Sequence, residues 1–158
     1  MNKLQNIIAF ICANYPHKSE LTKARVTKLV YLSDWFSALL DKKQLTEIEW
    51  VFNHYGPYVD DVVDAAHSAF GFKIEHQNTM YGTSKYVLSY NGDEESIKLE
   101  ERDKEILNAV MEKTKAMYFN QFVDYVYSTY PVKTKERYST FNLVKLAEDY
   151  TSKEAATA

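Results

Sequence analysis

The sequence predicts a mainly α (α+β) fold, a single compact helical domain with a small β-hairpin. Three observations support it. Apolar residues recur at helical spacing in several separate segments, and two alternating stretches flank a turn-like one. The chain of 158 residues also suits one hydrophobic core and shows no internal repeat or linker. We therefore expect one domain over residues 1–150 and a flexible C-terminal tail over 151–158.

The first two helices follow from apolar spacing and end signals. A first helix is expected over about residues 2–14, because Pro16 disfavours helical angles at the residue before it. Ser19 or Thr22 can cap a longer helix that runs to about Leu40. Its wide apolar stripe predicts the central helix of the domain.

A charged residue within this helix and the segment that follows the helix allow two further predictions. Asp34 interrupts the apolar stripe and would need hydrogen-bond partners if buried. Residues 46–53 alternate with a period of two, which is typical of a short strand. Gly56 and Pro57 follow and predict a sharp turn, with Pro57 as the first residue of a helix.

The second half of the chain continues the alternation of elements. The stretches 72–76 and 86–90 predict a β-hairpin around the turn-like residues 78–83. Further helices are expected from about Asp103, from Phe119 to a stop at Pro131, and over about 139–150.

The composition of the chain restricts the cellular compartment and the kinds of partner that we expect. The formal net charge is −3 with acids and bases intermixed, which disfavours binding to nucleic acid. The single cysteine, Cys12, lies in an apolar run and is interpreted as a buried, inert thiol, which indicates a reducing compartment. No signal-peptide pattern or membrane-length apolar run is found. We expect a cytoplasmic protein without a membrane partner.

The sequence contains no recognisable catalytic or cofactor motif, so no enzymatic activity and no cofactor are predicted. Asp60, Asp64 and His67 share one helical face, and His54 could approach them. This spacing matches no known metal signature, so a solvated face is favoured over a weak divalent site. No metal ligands are predicted.

Tyrosine and the basic residues allow two interpretations each. Thirteen tyrosines are present, and partly exposed ones suit either a protein interface or the edge of a modest core. Basic residues near the second and last helices are interpreted as solvated helix edges rather than a nucleic-acid patch. Those residues are Lys18, Lys23, Arg25, Lys28, Lys133, Lys135 and Arg137.

The order of these segments resembles the Panacea domain, also called the SocA-like antitoxin domain and formerly a phage-associated protein family. The pattern KLxYLxxxxxAL is present from Lys28 to Leu39. A Trp-bearing extended segment follows and ends in the turn Tyr55-Gly56-Pro57-Tyr58-Val59. The stretch VYSTYP at 126–131 is similar to the family's closing helices. The resemblance covers about residues 3–150.

The resemblance implies an antitoxin of a bacterial or phage toxin–antitoxin system that neutralises a cognate toxin, encoded next to it, by direct protein contact. The family resemblance also implies that very different toxins can be targets, including enzymes that modify tRNA. Expected partner-binding residues are Trp50, His54, Tyr55, Tyr58, Asp60, Asp61 and Asp64. Gly56 and Pro57 are expected to shape the turn.

Two other functions remain open at this point. The chain could be an adaptor that delivers a bound toxin to an ATP-dependent protease, or a small nucleic-acid-binding regulator, which the charge opposes. A homo-oligomer is also left open.

Overall fold

The central element of the fold is a 19-residue helix against which helices from both halves of the chain pack. The computed structural model describes residues 1–54 and 56–157, with side chains to residue 155. In this part of the chain 55% of residues are helical and 16% lie in strands, which confirms the mainly helical α+β prediction. The helices are α1 (Lys3–Asn14), α2 (Lys23–Asp41), α3 (Asp61–His67), α4 (Glu101–Thr114), α5 (Phe119–Tyr127), α6 (Tyr130–Thr134) and α7 (Leu143–Thr157). The strands are β1 (Trp50–Asn53), β2 (Gly56–Tyr58), β3 (Phe72–Asn78), β4 (Ser84–Tyr90) and β5 (Thr140–Phe141).

Helix α2 begins and ends where local chemistry dictates. The Thr22 hydroxyl accepts the Arg25 backbone N–H at 3.1 Å, as an N-cap should. Lys42 ends the helix in the left-handed region, at φ 59°. Helices α1, α3, α4, α5 and α7 and strands β2 and β4 all contact α2. The prediction that it is the central helix is confirmed.

A three-stranded antiparallel sheet in the order β2-β1-β5 lies beside α2. Phe52 pairs with Pro57 and Trp50 pairs with Phe141. The expected helix start at Pro57 is wrong, because Pro57 belongs to an edge strand, where the missing N–H is tolerated, and α3 begins at Asp61. The two-residue strand β5 was not expected, since so short a segment leaves no alternation to read.

The predicted hairpin is present as β3 and β4, in register from Phe72 with Tyr90 to Asn78 with Ser84. Its second strand is attached to the entry of α2. The Leu88 N–H donates to the Leu21 carbonyl at 2.8 Å. The hairpin is therefore fixed to the domain along β4.

The last helices differ from the expected boundaries. Pro131 does not simply stop α5, which ends at Tyr127; it lies in the first turn of α6, where a proline is well accommodated. The last helix runs over residues 143–157, not 139–150. It therefore continues through most of the segment expected to form a tail, and the flexibility of residues 151–158 stays a prediction.

The core lies between α2 and the helices around it. Cys12 is 3% exposed, and burial raises the pKa of its thiol to about 12, although the charge of Lys18 offsets part of this rise. Such a high pKa is expected of an inert thiol.

Among the described residues, none of the helices has the length and apolar character required to span a bilayer.

Candidate protein-interaction site

The site is built on a buried carboxylate in the central helix. Asp34 is fully buried and accepts four hydrogen bonds from residues 44–50. The donors are the Thr46 backbone N–H at 2.9 Å, the Thr46 hydroxyl at 2.5 Å, Trp50 Nε1 at 2.8 Å and Gln44 Nε2 at 3.2 Å. The expectation that a buried Asp34 needs partners is confirmed. This network fixes the segment before β1 against α2.

Two opposing effects act on the protonation of Asp34. Burial raises the pKa of its carboxyl to about 6, while the hydrogen bonds from Thr46 and Trp50 favour the charged form and limit the rise. Because no part of the side chain is exposed, this perturbed group has no access to an external substrate. Its contacts give it a structural role.

Trp50 was expected to contact a partner, and the structure corrects this. The side chain is fully buried, with its indole ring in an edge-to-face arrangement on Tyr31 at a centroid distance of 5.6 Å. Its N–H is used by Asp34. Trp50 therefore belongs to the frame beneath the surface, because the period-two alternation turns it inward with Ile48 and Phe52.

Gly56 and Pro57 lie buried in β2. Gly56 has φ +96°, and a Cβ atom there would lie 2.6 Å from Tyr127 Cε1. Both the backbone angle and the space select glycine. Tyr55, the expected partner-binding residue before it, lies outside the described residues.

The expected acidic residues are exposed and close together. Asp60, Asp61 and Asp64 lie at the start of α3, where negative charge suits the helix dipole. Burial raises the pKa of the half-buried Tyr58, and the charge and hydrogen bond of Asp60 raise it further, with a contribution from Asp64. Tyr58 thus lies among these carboxylates.

A groove of about 530 Å³ runs between β1, β2 and the start of α3. Val51, Tyr58 and Val59 contribute its half-buried apolar surface, and Glu49 joins Asp60 and Asp61 along it. A second opening of about 740 Å³ shares Asp61 and adds Glu47. We call the exposed residues Glu47, Glu49, Asp60, Asp61 and Asp64 the acidic face.

His54 was expected beside these acids. It is exposed, and its Nδ1 lies 3.2 Å from the Tyr138 hydroxyl in the loop before β5. Within residues 1–54 and 56–157, no three His, Cys, Asp or Glu side chains are grouped so that they could hold a metal ion. The spacing of Asp60, Asp64 and His67 does not produce such a group.

Sequence reasoning missed some residues of the site and misplaced others. Glu47 and Glu49 were not singled out, although their alternation with buried Ile48 and Trp50 could have placed them on the surface. Arg25 and Lys28 were interpreted as solvated helix edges, which is wrong: they are 1% and 3% exposed. The amino-acid composition of a segment does not distinguish a buried basic residue from one at the solvated edge of an apolar stripe.

Fold and site define the class as a small α+β domain that presents an acidic face beside a hairpin fixed to its central helix. The profile described as "Antitoxin SocA-like, Panacea domain" matches residues 26–131, and the chain belongs to this family. The match runs from Val26 in α2 to Pro131 in α6 and includes all five residues of the acidic face. No curated protein and no solved structure gives a significant match to the chain.

Proposed function

We propose that the chain is the antitoxin of a toxin–antitoxin pair, and that it neutralises a cognate toxin by direct protein contact rather than by catalysis. Membership of the family supports an antitoxin-type role. The toxin is proposed to be encoded by the neighbouring gene, and the complex to form in the cytoplasm.

The acidic face is the observation that carries this proposal. Three of its five exposed carboxylates, Glu49, Asp60 and Asp61, line a groove whose walls include apolar surface from Val51, Tyr58 and Val59. Such a surface complements a basic cleft, of the kind found in enzymes that act on RNA. Charge accelerates encounter with such a partner, and the apolar floor supplies area that can be desolvated.

The frame beneath the acidic face makes it a suitable binding surface. The Asp34 network holds the segment that carries Glu47 and Glu49, and pairing of β1 with β2 holds Tyr58. A surface already ordered before binding loses less conformational entropy on association. We expect the complex to bury about 800 Å² on each partner, as stable complexes do.

Co-expression tests the function. The neighbouring gene is induced in a sensitive host that also carries the gene for this chain, an empty plasmid, or no second plasmid. We expect growth arrest with the toxin, rescue by the chain and co-purification of the two proteins. If no adjacent gene arrests growth, or if rescue occurs without a complex, the proposal is contradicted.

A further inference from the structure

A pocket unrelated to the acidic face lies where the turn of the β3–β4 hairpin approaches the starts of α2 and α5. Its volume is about 460 Å³, and its charged lining residues are Arg25, Lys85 and Glu20. This volume is within the range of small-molecule sites.

One guanidinium nitrogen of Arg25 makes an ion pair but no hydrogen bond. Its Nε and Nη2 donate to the Tyr15 hydroxyl at 3.1 and 2.7 Å, and Nη2 also donates to the carbonyls of Thr114 and Met117 at 3.2 and 2.8 Å. The guanidinium is further held over the Phe122 ring, 4.5 Å from its centroid. Nη1, although buried, has no hydrogen-bond partner.

Glu20 neutralises this nitrogen only loosely. Its Oε2 lies 3.3 Å from Nη1 without forming a hydrogen bond, and its side chain is 40% exposed. Because an unpaired buried charge is costly, this carboxylate turns outward into water only when another anion neutralises the guanidinium in its place. The site is then open to an anion that hydrogen-bonds Nη1 with better geometry, which is worth more than a loose ion pair.

The remaining lining suits an anion attached to a flat group. Lys85 Nζ lies near the chain at the start of α2, donating to the Ser19 carbonyl at 3.1 Å. The N-terminus of α2, at Thr22, adds the positive end of a 19-residue helix. Ser84 and Thr83 contribute hydroxyls, and the half-exposed ring of Phe119 forms an apolar wall.

We propose that this pocket binds a mononucleotide, with its phosphate between Arg25 Nη1 and Lys85 and its base against Phe119. Glu20 turns away to admit the phosphate. This ligand site is independent of the toxin contact and does not require the proposed function to be correct.

Calorimetric titration of the full chain at low ionic strength tests the assignment with three probes: AMP, inorganic phosphate and adenosine. We expect AMP to bind most tightly, phosphate more weakly and adenosine not measurably. Lys85→Ala should weaken AMP binding about tenfold, since it removes one charge-assisted contact. Glu20→Gln should strengthen it, because the competing carboxylate is neutralised.

Lys73→Ala is the matched control, since Lys73 lies on the same hairpin but at the far end of the register from Lys85. It should leave AMP affinity unchanged, and circular dichroism should show that every variant is folded. Equal AMP affinity in wild type, Lys85→Ala and Glu20→Gln would overturn the site, as would the absence of binding by all three probes. Equal affinity for phosphate and AMP, with no effect of Phe119→Ala, would overturn the nucleotide assignment.

Discussion

Asp34 illustrates how a single buried carboxylate can organise the surface proposed to bind a partner. Burying a charge is costly unless hydrogen bonds replace its water, and Asp34 receives four of them from Gln44, Thr46 and Trp50. The segment that supplies the donors is the one that presents Glu47 and Glu49. The buried residue thereby determines where the exposed residues lie.

The raised pKa of Asp34 makes stability depend on pH. The folded chain binds the proton more tightly than the unfolded chain, whose carboxyl titrates near 3.8, because folding raises the value to about 6. The contribution of this group is therefore fully present below about pH 4 and lost as pH rises through about 6; the difference corresponds to about 3 kcal/mol. Chemical denaturation between pH 4 and 7 should show wild type losing stability relative to Asp34→Asn, and a pH-independent difference would contradict the account.

Gly56 and Gly82 form a matched pair of residues. Both have positive φ, but a Cβ atom at Gly56 meets Tyr127, whereas nothing lies within 4 Å of one at Gly82. Gly82→Ala should cost about 1 kcal/mol for backbone strain alone, and Gly56→Ala more, about 2–3 kcal/mol. Denaturant melts of both variants measure the difference, and equal losses would show that contact with Tyr127 is unimportant.

At the scale of elements, periodicity predicted most of the fold. The spacing of apolar residues gave α1, α2 and the β3–β4 hairpin, because their buried faces repeat over several turns or strand positions. Pro57 was misassigned because a Gly-Pro pair suits both a helix start and an edge strand, and only pairing with Phe52 selects the strand. Strand β5 is defined by its partner β1, which lies about ninety residues away in sequence.

The candidate site was predictable only in part, for a similar reason. The helix-start acids Asp60, Asp61 and Asp64 are exposed because local amphipathicity places them outward. The hydrogen bond of buried Trp50 to Asp34 and the loose ion pair of buried Arg25 with Glu20 are set by tertiary structure. Local patterns carry no information on those contacts.

The start of α2 provides a prediction at the element scale. Thr22→Ala removes the side-chain acceptor for the Arg25 N–H and should lower the free energy of unfolding by about 1 kcal/mol. Thr22→Ser keeps an acceptor and should retain most of that stability. Urea denaturation compares them; similar losses for serine and alanine would assign the effect to packing of the methyl group instead.

For the whole molecule, charge is arranged locally although the total is only −3. The acidic face gathers five exposed carboxylates, whereas the pocket at Arg25 and Lys85 gathers buried and half-buried cations. A net charge therefore says little about partners, because binding responds to the field at each surface. The acidic face is the surface through which we propose that this mildly acidic chain binds a basic protein.

Affinity of the chain for the toxin, measured by calorimetry with wild type, Asp61→Lys and the control Glu95→Lys, tests the central claim most directly. Asp61 lies on the acidic face, whereas Glu95, which is also exposed, lies in the short 3-10 helix after β4. We predict that Asp61→Lys weakens binding at least tenfold while Glu95→Lys, with the same change in charge, leaves it unchanged. Equal affinities for all three proteins would contradict the assignment of the acidic face as the toxin-binding surface.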